Sequence, residues 1–177
     1  MDIINGTLVP ALDEVGVQFE QGTLFLPQLI QAAGAAQAAF EVLRAHMVAD
    51  TGRSVSRGTI VLATVKGDIH DIGKNIVKVL LENYGYTIID LGKDVSPEAV
   101  ADAVRRHSAP LVGLSALMTT TLKSMADTIA LLRAEGLPCR VMVGGAVLTP
   151  DYAAQIGADF YARDAKEGVD IARSVFG

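Results

Sequence analysis

The chain has little of several things, and each shortage removes a class of protein. Cysteine occurs once, at Cys139, so no internal disulfide can form, and a reducing, cytoplasmic setting is expected. Three histidines, His46, His70 and His107, lie far apart in sequence. With a single cysteine they make no zinc-ligand spacing. Tryptophan is absent and aromatics are 5% of the chain, so the core must be built from Val, Leu, Ile and Ala. Positive charge is short as well. The net charge of −5 comes without a basic stripe, which speaks against nucleic acid and anionic membranes as partners. The N-terminus lacks the basic-then-apolar order of a signal peptide. No uninterrupted apolar run is long enough to span a bilayer.

What is present is 177 residues, half of them hydrophobic, enough for one α/β domain and a smaller extra segment. Residues 1–50 read as helical. Leu8, Leu12, Val15 and Phe19 recur every three or four positions, Gly22 interrupts the pattern, and Pro27 suits the first turn of a second, Ala-rich helix. Residues 51–58 are polar and read as a linker. From Thr59 the pattern alternates. Short β-rich runs at 59–65, 86–92, 110–117, 140–145 and 158–162 are separated by helical stretches near 73–84, 96–107, 119–135, 150–156 and 164–175. Ser96 followed by Pro97 and Glu98 marks a helix start. Five strands alternating with helices imply a doubly wound, flavodoxin-like (Rossmann-like) parallel sheet with helices on both faces, preceded by a small all-α cap. Ligands of such sheets sit beyond the carboxyl ends of the strands.

One segment at that edge, TVKGDIHDIGKN at 64–75, sets His70 between Asp68 and Asp71, with Gly67 and Gly73 on either side. Capping of the following helix is one use for the two acids, and a loop histidine without a task is the plainest reading of His70. A phosphate loop is disfavoured: GDIHDIGK is one residue longer than the GxxxxGK[ST] spacing, Asn75 replaces Ser or Thr, and two aspartates repel phosphate. A receiver domain needs a phosphorylatable aspartate after the third strand, where Ser115 stands. A metal ligand with carboxylate support remains. An aspartate two residues before a histidine can accept one imidazole N–H and leave the other nitrogen for a metal. A single protein ligand cannot hold a bare ion, but it can add to one already bound in a macrocycle.

DIHDIG matches the D-x-H-x-x-G signature of cobalamin-binding proteins of the base-off, His-on class. Ser115 to Leu117 matches its S-x-L, and Gly144-Gly145 its glycine pair, each at the end of an expected strand. EVGVQFEQGTLFLPQLI resembles the helical cap of corrinoid methyl-transfer proteins and of cobalamin-dependent methionine synthase. The resemblance runs from about Thr7 to Phe176. It implies cobalamin (methylcobalamin and cob(I)alamin in turn) as cofactor, with His70 as the lower axial ligand of cobalt. Asp68 would hold the other ring nitrogen, and Thr121 would end the relay where the family often carries serine. Gly67, Ile69, Asp71 and Gly73 would frame the ligand loop. Ser115, Leu117 and Thr119 would meet the buried nucleotide, with Gly144, Gly145 and Ala165 giving the tail close passage. Phe19 and Leu26 would shield the upper face, although plain helix core also accounts for them.

The same resemblance implies a methyl carrier. It would serve methyl-donor and methyl-acceptor methyltransferase domains or subunits, with a reductive activator, either as a module of a methionine-synthase-like enzyme or as a stand-alone corrinoid protein. A subunit of an adenosylcobalamin mutase, or a B12-dependent regulator, is the alternative; the cap argues against the first, and the length and charge against the second. Met1 falls near the middle of the family's cap and Asn5 where methionine synthases tend to carry an acid. An excised fragment or a truncated, incomplete cap is therefore expected, and if helices are missing, apolar surface around Leu8, Leu12 and Leu29 would be exposed and could drive self-association.

Overall fold

A computed structural model describes residues 7–51 and 56–177; Asn5 and the middle of the expected linker, residues 52–55, lie outside the described residues. Two helices, α1 (Val9–Glu20) and α2 (Leu26–Thr51), precede an alternating series: β1 (Thr59–Thr64), α3 (Ile72–Asn83), β2 (Thr87–Asp90), α4 (Pro97–His107), β3 (Leu111–Ser115), α5 (Leu122–Ala134), β4 (Arg140–Gly144), α6 (Pro150–Gln155), β5 (Phe160–Ala162) and α7 (Ala165–Phe176). The five strands form one sheet in the order β2-β1-β3-β4-β5, and every pairing is parallel. The chain leaves β1 for β2 on one side and returns to β3 on the other. The crevice between the carboxyl ends of β1 and β3 is therefore the switch point at which doubly wound sheets bind ligands.

Strand periodicity sorts the core. On β1, Val61 and Ala63 point to one face, where they meet Val100 and Val104 of α4 and Met125, Ile129 and Leu132 of α5. Ile60 and Leu62 point to the other, against Leu80 and Leu81 of α3 and Val169 and Ile171 of α7. Both faces are covered, which is why these strands read as continuous apolar runs rather than alternating ones. Helix starts follow their sequence signals. Ser96 accepts the Ala99 N–H at 3.3 Å with Pro97 behind it. Asp164 accepts from Glu167 N–H at 2.9 Å, and Glu167 Oε2 accepts the N–H of Arg163, one residue before the cap, at 2.7 Å.

The cap closes onto the second face. Leu12 of α1 and Leu29 and Ala33 of α2 join the cluster of α3 and α7. The exposure expected of Leu12 and Leu29 for a cap that lacks helices does not occur: they are 4% and 5% exposed, because α1 and α2 pack against each other and against α3 and α7. Leu8 is half-buried. Polar contacts fix the same interface. Tyr84 Oη donates to Asp13 Oδ1 at 3.0 Å, and Arg173 donates to Asp13 Oδ2 at 3.0 Å while stacking over the Tyr84 ring at 4.9 Å. Burial and the neighbouring Asp13 carboxylate push the Tyr84 hydroxyl well above its usual pKa. No helix of the described residues is long and apolar enough to cross a membrane.

Candidate functional site at the switch point

The loop after β1 is tied on both sides. Val65 N–H donates to Ser115 O at 3.1 Å and Asp68 N–H to Val65 O at 3.0 Å, a tight turn that needs Gly67 at φ +85°. From the β2 side, Asp94 accepts the Gly67 N–H at 2.7 Å and donates its own N–H to Asp68 O at 3.0 Å.

The Asp68 side chain is fully buried and every bond it makes is accepted. Oδ1 takes the His70 backbone N–H at 3.0 Å and lies 2.8 Å from His70 Nδ1. Oδ2 takes the N–H groups of Leu117 at 2.7 Å and Met118 at 3.2 Å, and the Thr121 hydroxyl at 3.0 Å. Burial alone would raise the carboxyl pKa. The bonds from His70, Leu117 and Thr121 outweigh it and hold Asp68 well below the usual carboxylate range. An ionised carboxylate only accepts, so Nδ1 is the ring nitrogen that donates to it, and Nε2 is the one left for a ligand. Neither acid of the loop caps α3: Asp71 occupies the N-cap position without a side-chain bond, and Asp68 spends its oxygens elsewhere.

His70 stands on the wall of a cavity of about 790 Å³ between the sheet's carboxyl edge and the cap. Ile69, Asp71, Gly73, Ser115, Leu117, Gly144, Gly145 and Ala165 line it, with Phe19 and Leu26 of the cap across from them. Leu62, Gly113 and Met142 reach into it from the sheet, so its deeper wall is apolar. Four of the expected site residues are not on the wall. Gly67, Asp68 and Thr121 stand behind His70 as its support, and Thr119 is exposed at the start of the short turn Thr119–Thr121.

The glycine pair has a requirement of its own. A Cβ on Gly145, at φ +136°, would lie 1.9 Å from Ala116 O, and one on Gly144 would lie 3.0 Å from Ala162 O. The ends of β3, β4 and β5 come this close before any ligand is considered.

Two features escaped the sequence. The backbone donors of Leu117 and Met118 carry no residue-type signal. Lys74, also on the cavity wall, is 4% exposed and bonds Asp90 at 2.7 Å. The residue pattern does not set it apart, although the dipole disfavours a cation in the first turn of a helix.

Among the described residues no group of three or more His, Cys, Asp or Glu could hold a metal ion. One imidazole with a free nitrogen, backed by a buried carboxylate and facing a large, largely apolar cavity, instead fits a metal delivered inside a macrocycle. Fold and site together define a doubly wound domain with a capped, single-imidazole cofactor cavity at its switch point. The chain belongs to the B12 binding domain family: its model matches residues 58–170, and a second B12 binding domain model matches residues 1–44. The chain is 43% identical over 176 residues to dimethylamine corrinoid protein 1 of Methanosarcina mazei, covering 98% of this chain and 81% of that one. A novel cobalamin-binding protein from Desulfitobacterium hafniense DCB-2 superposes with a TM-score of 0.82 at 37% identity, over 94% of this chain and 78% of that one. The methanol:cobalamin methyltransferase complex MtaBC from Methanosarcina barkeri contains a chain that superposes with a TM-score of 0.84 at 30% identity, over 99% of this chain and 67% of that one.

Proposed function

We propose that this protein is a corrinoid methyl carrier of a methyltransferase system, with a cap at 1–50, a linker at 51–58 and a cobalamin domain at 59–177. The observation that carries the reading is the Asp68–His70 pair, 2.8 Å apart, with the second ring nitrogen of His70 left to the cavity. The likeness to a dimethylamine corrinoid protein along nearly the whole chain supports a stand-alone carrier over a module of a larger enzyme. When bound, cobalamin supplies a cobalt centre that takes a methyl group from one partner and yields it to another.

In this reading His70, through Nε2, would hold the cobalt of the bound cofactor. Asp68 orients its ring, and Thr121 with the Leu117 and Met118 amides orients Asp68. Gly67, Ile69, Asp71 and Gly73 shape the loop that presents the ligand. Ser115, Leu117, Thr119, Gly144, Gly145 and Ala165 border the nucleotide side, and Phe19 and Leu26 exclude water from the opposite face. Donor and acceptor chemistry belongs to methyltransferase partner subunits, and a reductive activator restores the carrier. The test is to mix purified protein with methylcobalamin, remove free cofactor, and offer the complex to methylamine- and methanol-type methyltransferase partners. Retained colour and methyl release support the reading; a colourless protein overturns it.

A further inference from the structure

His70 lies in a segment with very few side-chain anchors. Ile69 is 63% exposed and Ile72 77% exposed, Gly73 has open space around it, and Asp71 makes no side-chain cap bond. Going along the chain from Asp68, the next fully buried side chain is Lys74. The ligand segment is thus suspended between two buried charges of opposite sign, Asp68 on the loop side and Lys74 in the first turn of α3.

The Lys74 anchor is directional. Its Nζ donates to Asp90 Oδ1 at 2.7 Å and to Asn75 Oδ1 at 2.7 Å. Asp90, at the carboxyl end of β2, is fixed in turn by the Gly92 N–H at 2.9 Å and by Lys78 at 3.2 Å. Desolvation opposes its charge, but the bonds from Lys74 and Gly92 hold its carboxyl below the usual range. A buried lysine near a helix N-terminus works against desolvation and against the dipole. Apolar side chains of similar volume in place of both Lys74 and Asp90 would bury at least as favourably. What apolar chains cannot do is fix the first turn of α3 in one position against β2.

Building on the cobalamin reading above, we propose that Lys74, through Asp90, is a positioning residue that sets the height of the α3 first turn and thereby brings His70 Nε2 within bonding reach of the bound cobalt. It acts through the backbone of residues 71–74, not by touching the metal.

The experiment uses full-length protein loaded with cob(II)alamin, with histidine labelled by ¹⁵N. In the electron paramagnetic resonance spectrum an axial histidine nitrogen then splits each cobalt line into a doublet, and the cofactor's own benzimidazole into a triplet. Wild type is expected to show the doublet. Lys74→Met, which leaves Asp90 with Lys78 and the Gly92 N–H, is expected to melt at a lower temperature, still to bind cofactor, and to lose at least half of the doublet intensity. Asp90→Asn, which keeps a hydrogen-bond partner for Lys74, is expected to lose less. A full doublet in both variants overturns the positioning role while leaving His70 as ligand. Should Lys74→Met fail to fold, Asp90→Ala, which removes the acceptor that anchors Lys74, decides: a full doublet overturns the role. Absence of the doublet in loaded wild type overturns His70 as the ligand, and this proposal with it, whereas failure to retain cofactor at all overturns the cobalamin reading.

Discussion

Thr121 lies 53 positions after Asp68, yet its hydroxyl donates to the buried Asp68 Oδ2 at 3.0 Å. The same hydroxyl reaches back to Met118 O at 2.8 Å, so the short turn after β3 and the loop after β1 are joined through one side chain. Thr121→Val should remove that donor at nearly constant volume and cost about 1–2 kcal/mol. Thr121→Ser should cost much less. Denaturant unfolding of the two variants separates loss of the hydroxyl from loss of the methyl.

Asp68 gives the fold an acid-side pH dependence. Its folded pKa lies below its unfolded value, so its contribution is complete above about pH 4 and is lost as the pH falls through the folded value. Asp90 has the same sign. Asp68→Asn turns an amide NH₂ toward backbone donors and should cost about 3 kcal/mol at neutral pH. It should also flatten the decline of stability below about pH 4. Unfolding midpoints measured from pH 7 down to pH 3 check both the cost and the slope.

The two glycines bordering the cavity from opposite sides should respond in opposite ways. Gly145→Ala meets Ala116 O at 1.9 Å and a positive φ, and should destabilise by more than about 2 kcal/mol. Gly73→Ala meets nothing within 4 Å and lies inside α3, so it should stabilise by about 0.5–1 kcal/mol. Thermal melts of the cofactor-free proteins distinguish these outcomes without reference to binding.

The doubly wound sheet was legible because parallel strands buried on both faces leave continuous apolar runs, and because Ser96-Pro97 announces its helix. Two-residue spacing made an Asp68–His70 contact plausible, and the resemblance to cobalamin-binding proteins singled it out and pointed to Thr121, four residues past Leu117. The Leu117 and Met118 amides were not, since backbone donors leave no trace in residue type. The burial of Leu12 and Leu29 was missed for a different reason. Periodicity tells that a helix has an apolar stripe, not which surface covers it. Nothing in the residue pattern sets Lys74 apart; its burial and its 2.7 Å bond to Asp90 do.

The cap should be held by a polar clasp as well as by its apolar stripe. Asp13 accepts from both Tyr84 and Arg173 at 3.0 Å. Asp13→Ala should loosen α1 by about 1–2 kcal/mol. Hydrogen exchange should then rise in residues 9–20 and stay unchanged in β1 and β3. In loaded protein, replacing Phe19 and Leu26 together by Ala should hasten photolysis of the methylated cofactor. An unchanged rate would return those two side chains to plain packing.

The most direct test of the account is the visible absorption spectrum of His70→Gly loaded with methylcobalamin beside that of wild type. The account predicts that wild type binds with nitrogen below the metal and that the variant shows a spectrum without it, restored in part by added imidazole. Identical spectra would contradict His70 as the ligand.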